Sequence, residues 1–159
     1  MKNKNLILIL LWIGGIVGMS INMSASSIRS SSKEKYKKWN DIHCMAYAIF
    51  KEAGGEPLRG QLAVADVIMN RIHSGVGNSA CEVISQHKGN HYQFGFYRFN
   101  KSFIPPQRQK HFYMLANQVL NNQKIYVIPD NILYFNNIPF KSSKYKFYTK
   151  IGHQYFYYR

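Results

Sequence analysis

Apolar residues recur at helical spacing in four stretches of the chain and alternate in one. Ile42, Met45, Ile49 and Ala53 form the first helical stripe, with Asn40 or Asp41 available as N-cap and Gly54-Gly55 as the stop. The second pattern runs from Leu58 to Ile72, with Pro57 at its first position and Leu62, Ala65, Met69 and Ile72 on one stripe. It is apolar on most sides, which predicts a buried helix. Gly75 and Gly77 end it, and Ala80 to Gln86 reads as a short helix capped by Asn78 or Ser79. His87 to Pro106 is rich in Gly, Asn and aromatic residues and reads as a long functional loop. Helical spacing returns over Gln107 to Asn121, where Phe112, Leu115, Ala116, Val119 and Leu120 make the apolar face behind Pro105-Pro106. Tyr145–Thr149 and His153–Tyr157 then alternate around Ile151-Gly152, the pattern of a hairpin. Helices first and a small sheet late predict an α+β domain, mainly helical with a C-terminal antiparallel hairpin.

Composition adds boundaries to this pattern. A chain of 159 residues with 46% hydrophobic content buries one core. Met1-Lys2-Asn3-Lys4-Asn5 precedes an uncharged apolar run from Leu6 to Met19 and small polar residues around Ser24, Ala25 and Ser26. Residues 1–26 therefore read as a signal peptide or a membrane anchor. Both put the rest of the chain beyond the membrane: in the periplasm or envelope, or secreted. Residues 27–38 read as a basic, Ser-rich linker, and the folded domain as 39–159, starting near Trp39. In an exported chain Cys44 and Cys81 suit a disulfide between the first and third helices, the alternative being two buried thiols.

The formal charge is +14, a balance that seeks polyanions. Export and the lack of a recognition motif argue against nucleic acid and favour anionic envelope polymers. His87 and His91 stand four apart, but Gly89-Asn90 between them breaks a helix and no third ligand follows, so no metal site is expected.

The chemistry is concentrated where Glu52 and Glu56 flank the Gly-Gly break. A carboxyl in a last helical turn faces the negative end of the macrodipole, and partial burial disfavours its charge, so both effects raise its pKa and suit a general acid. The alternative is a solvated Glu52 and a Glu56 that caps the next helix.

The stretches FKEAGGEP and GQLAVADVIMNRI, followed by NSACEVISQ, YQF at Tyr92–Phe94, NILYFNN and the closing IGHQYFYYR, resemble in order the signature blocks of the SleB-type cell-wall hydrolases, the family of spore-cortex-lytic enzymes. The likeness spans Asp41 to Arg159. Gly55 stands where that family usually has Arg between the two carboxylates. The resemblance implies a lysozyme-like domain that cleaves peptidoglycan glycan strands between N-acetylmuramic acid and N-acetylglucosamine, without a cofactor. As in lytic transglycosylases, Glu52 would act alone and yield 1,6-anhydro products. It also implies Gln93, Phe94 and Tyr134 as cleft-lining residues. Gln61 and Asn70 read as structural support that binds backbone near the site, and His153 as a structural residue tucked into the hairpin. Two alternatives stay open: a muramidase-type hydrolase with Glu56 as second carboxylate, and a wall-binding module without catalysis.

Overall fold

The computed structural model describes residues 40–96, 103–121 and 126–158. The expected signal or anchor, the linker and the start near Trp39 lie outside them. Helix α1 covers 40–53, so Asn40 and Asp41 are already helical and neither is seen as an N-cap. Asp41 instead reaches sideways, its Oδ1 accepting from the Cys81 amide at 3.2 Å. Gly54 follows the last residue of α1, and a Cβ there would come within 2.3 Å of the Phe50 carbonyl oxygen, so the position needs glycine.

Helix α2, Leu58–His73, is the axis of the molecule. Pro57 sits at its N-cap, one position earlier than the sequence pattern predicts, with its carbonyl accepting from the Gly60 and Gln61 amides. Every residue from Gly60 to Arg71 is buried. One core lies on one side, where Leu62, Ala65 and Ile68 meet Met45 and Ile49 of α1 together with Phe94 and Phe112. A second core lies on the other, where Val64 and Val67 meet Ala53, Ile128, Ile132 and Phe156. Each such large apolar side chain contributes about 1.5–3 kcal/mol on burial. That is why α2 carries apolar residues nearly all round and not on one stripe. Gly75, at φ +76°, ends α2 in the left-handed conformation, and the Val76 amide returns to the Arg71 carbonyl.

Helix α3, Ala80–Ser85, is capped by Ser79, whose hydroxyl accepts from the Glu82 amide, while the Glu82 carboxylate accepts from the Asn78 amide. Cys44 and Cys81 form a disulfide that joins α1 to α3. The stretch read as a long loop contains a two-residue antiparallel ladder, β1 (His87–Lys88) with β2 (His91–Tyr92). α4 spans Pro106–Leu120 and buries Phe112, Leu115 and Ala116. The predicted hairpin is β4 (Lys146–Ile151) and β5 (Gln154–Tyr158), turning on Gly152-His153 with Gly152 at φ +59°.

A third strand, β3 (Tyr134–Asn136), pairs antiparallel with β5 and makes that strand the centre of a three-stranded sheet. Sequence periodicity does not reveal it, because three residues are too few for alternation to register. α2 positions β3 with a row of buried polar groups. The Asp66 carboxylate accepts from the Val127 and Ile128 amides at 2.6 and 3.2 Å. Asn70 Nδ2 donates to the Pro129 and Ile132 carbonyls, and Arg71 Nε to the Leu133 carbonyl at 2.8 Å.

Candidate active site

A cleft of about 500 Å³ opens between the C-terminal end of α1, the 92–95 segment and the sheet. Glu52, in the last turn of α1, lines it together with Lys51, Arg71, Gln93, Tyr134, Tyr145 and Gln154. Burial raises the Glu52 pKa above the ordinary glutamate value, and the positive charges of Lys51 and Arg71 only partly pull it back. Among the described residues no ion pair holds its carboxylate. Its backbone is fixed instead, the Glu52 carbonyl accepting from Gln154 Nε2 at 2.9 Å. The result is a half-buried carboxyl poised to give up a proton in a polar, partly enclosed space.

Glu56 is not part of this cleft. It makes no capping hydrogen bond to α2. Its carboxylate turns to the hairpin, accepting from the His153 amide at 2.9 Å and standing 3.0 Å from His153 Nδ1. The Glu56 side chain is 9% exposed, whereas the His153 ring is 87% exposed, so His153 is a turn residue at the surface and not a tucked one. Gly152 makes room for this contact, since a Cβ there would fall 1.7 Å from Glu56 Oε2.

Of the other expected residues, Gln93 is exposed and Tyr134 half-buried, and both line the cleft. Phe94 does not. It is 1% exposed and belongs to the core around α2, because its ring packs on Phe96 and Phe135. Gln61 donates to the Glu56 carbonyl at 2.9 Å and meets His111 Nε2 at 2.6 Å, while Asn70 holds the approach to β3. No cluster of His, Cys, Asp and Glu among the described residues could hold a metal ion.

Arg71 and Gln154 are among the cleft residues that escape sequence reasoning. Arg71 is buried between aromatic faces, with its guanidinium carbon 5.3 Å from the Phe94 centroid and 5.7 Å from that of Tyr134. Burial lowers its pKa to about 10, which leaves it charged at neutral pH. Gln154 begins β5 with its side chain buried against α1. The signals were the Asn-Arg pair closing the second helical pattern and a Gln among aromatics, neither of which announces burial. Tyr145 stacks edge-on with Tyr134 at 5.0 Å and against Phe140 at 4.6 Å, giving the cleft an aromatic wall.

Residues 55–157 match the family model described as Cell Wall Hydrolase. A 35-residue stretch is 60% identical to the spore cortex-lytic enzyme of Oceanobacillus iheyensis and 54% identical to that of Bacillus subtilis, covering 22% of this chain in each case. The matched stretch spans 13% and 12% of those two relatives' own length. In three dimensions the chain resembles the catalytic domain of the germination-specific lytic transglycosylase SleB from Bacillus anthracis. The identity is 28% and the TM-score 0.57, over 74% of this chain and 93% of that one.

Proposed function

The chain belongs to the cell wall hydrolase family, and from that premise we propose that it cleaves peptidoglycan glycan strands between N-acetylmuramic acid and N-acetylglucosamine, with Glu52 as the acid. The observation that carries this reading is the Glu52 carboxyl, its pKa raised by burial, in a cleft lined by amides and aromatic rings. A carboxyl that holds its proton more tightly than an ordinary glutamate suits the departure of the sugar oxygen.

Glu52 gives its proton to the glycosidic oxygen as the bond from that oxygen to C1 of the muramyl residue breaks. The carboxylate left behind takes the proton of the muramyl C6 hydroxyl, and that oxygen bonds to C1. The products are a 1,6-anhydro end and a free 4-hydroxyl, with Glu52 protonated again. The C6 hydroxyl is tethered to its target, so no second carboxylate has to position water. The engagement of Glu56 with His153 supports this one-carboxylate route over hydrolysis by a pair.

A wall-cleaving enzyme acts outside the cytoplasm, and residues 1–26 would supply export as a signal or an anchor. The +14 charge would hold the enzyme on anionic envelope polymers. Digestion of peptidoglycan in heavy-oxygen water, read by mass spectrometry of the soluble products, tests the reading. Unlabelled 1,6-anhydro muropeptides are expected. Label in new reducing ends would replace this mechanism with hydrolysis, and the absence of any release would leave a binding module.

A further inference from the structure

The wall of the cleft continues onto the outer face of the sheet. Ile151 and Phe156 turn one face of the sheet into the core behind it, so alternation puts Tyr155, Tyr157 and Lys150 on the other. The register then sets Tyr134, Tyr157 and Phe147 in one row across β3, β5 and β4, and Asn136, Tyr155 and Lys150 in the next. Tyr134 and Asn136 line the cleft, whereas Phe147, Tyr155 and Lys150 lie beyond it. Each row thus starts in the cleft and ends on the edge strand, two strand spacings or about 10 Å away. Ring contacts run the same way. Phe140 meets Tyr145 at 4.6 Å and Tyr157 at 4.7 Å, and Phe147 meets Tyr157 at 5.8 Å and Tyr155 at 6.3 Å. Phe147 is 56% exposed, an open aromatic ring at the far end of the strip.

The charge on this face has one sign. From Asn131 to Tyr158 the chain carries Lys141, Lys144, Lys146 and Lys150, all exposed, and no Asp or Glu. The carboxylate that meets the hairpin from outside, Glu56, is nearly buried and engaged with His153. Lys144 Nζ stands 5.8 Å from the Tyr145 centroid and Lys150 Nζ 4.9 Å from that of Tyr155, so two ammonium groups sit on rings of the strip itself. Lysines on an edge strand also keep it from pairing with another chain. That accounts for Lys146 and Lys150, but not for Lys144, which precedes β4, nor for the open Phe147 ring.

We propose that this face is a binding surface outside the cleft for acidic, peptide-bearing wall strands, on which Lys144 and Lys150 pair with carboxylates of the peptides while the rings pack on the strand that leaves the cleft. Bare glycan would give the lysines nothing to pair with, and a phosphodiester polymer would leave the rings idle. A strand with acidic peptides uses both, and continuity with the cleft brings that polymer here. The surface makes the enzyme select for charge on the wall at a distance from the acid. The inference rests on the glycan-cleaving function proposed above.

The test is co-sedimentation with insoluble wall that has been freed of phosphodiester polymers by cold hydrofluoric acid and then divided, one half having its carboxyls converted to neutral methylamides. The full chain carrying Glu52→Gln is used, so that the wall stays intact. It should bind the acidic half about 3- to 10-fold more tightly, the gain that two exposed ion pairs supply. Adding Lys144→Gln and Lys150→Gln should lower retention on the acidic half to that on the amidated one. Adding Lys88→Gln and Lys110→Gln instead removes the same charge from exposed positions on β1 and α4 and should leave the preference in place. Phe147→Ser should weaken retention on both halves. Equal retention of Glu52→Gln on the two halves would overturn the proposal, as would equal losses from the two lysine pairs, which would make total charge the cause. So would a Phe147→Ser variant with unaltered thermal unfolding and unaltered retention. Product release by the unsubstituted chain is read alongside. No release with the preference intact would defeat the cleavage reading and still support the surface.

Discussion

Glu56 and Gly152 share one small contact whose geometry is exacting enough to predict what single atoms do. The Glu56 carboxylate accepts a backbone and a ring nitrogen of His153 and thereby pins the corner between α1 and α2 to the hairpin turn. Glu56→Gln should keep a substantial share of wall-releasing activity and lose about 1 kcal/mol of stability, the difference between a hydrogen bond to a charged acceptor and one to a neutral acceptor. Release rate and thermal unfolding on the same sample check both halves. Gly152→Ala should be worse for stability, since its Cβ would fall 1.7 Å from Glu56 Oε2 at φ +59°. Gly152→Ala introduced into the Glu56→Ala background should then cost less than in wild type, a non-additivity that a double-mutant cycle measures. At the cleft, a general acid must be protonated, and burial raises the pKa of Glu52 above the ordinary 4.5. The alkaline limb of the pH–rate profile should accordingly lie above that value. A limb at or below it would mean that another group sets the rate.

At the scale of elements, α2 does two jobs, burying apolar surface on both sides and carrying Asp66, Asn70 and Arg71, which hold the chain leading into β3. Burial raises the Asp66 pKa from 3.8 to about 6, against the two amides that favour its charged form. The folded state thus holds this proton more tightly than the unfolded chain. Its contribution is fully present below about pH 3.8 and is lost as pH rises through about 6. The thermal midpoint should rise between pH 7 and pH 5 through this group, and Asp66→Asn should shrink that rise; an unchanged rise would show that Asp66 does not titrate there. The disulfide between α1 and α3 closes 37 residues, worth about 3–4 kcal/mol in the chain-entropy model. Reduction should lower the midpoint correspondingly. The helices and the hairpin were legible because each repeats its period over at least a turn or several alternations. β3 was not, being three residues fixed by side chains of α2 some 60 positions earlier in the chain.

Across the whole molecule, the two cores around α2 make a rigid support on which α1 presents Glu52 and the sheet presents Tyr134 and Gln154 across a single cleft. Sequence pattern led to Glu52, Gln93 and Tyr134 as site candidates, because they sit in ordered blocks of a recognisable signature. It misjudged Phe94, whose aromatic ring serves equally well in a core, and missed Arg71 and Gln154. Burial of a charged or amide side chain depends on distant contacts that no local period records. The +14 charge belongs to this scale too. Raising salt from about 0.1 M to about 1 M shortens the Debye length from about 10 Å to about 3 Å, so retention on insoluble wall should weaken markedly; salt-independent retention would assign it to the cleft alone. The claim on which the rest depends is that one carboxyl, Glu52, performs the proton transfers, and the release of soluble muropeptides by Glu52→Gln tests it most directly. The substitution keeps shape but cannot donate and retrieve a proton. Release should fall by about 100-fold or more with thermal unfolding unchanged, whereas a folded variant within a few-fold of wild type would contradict the account.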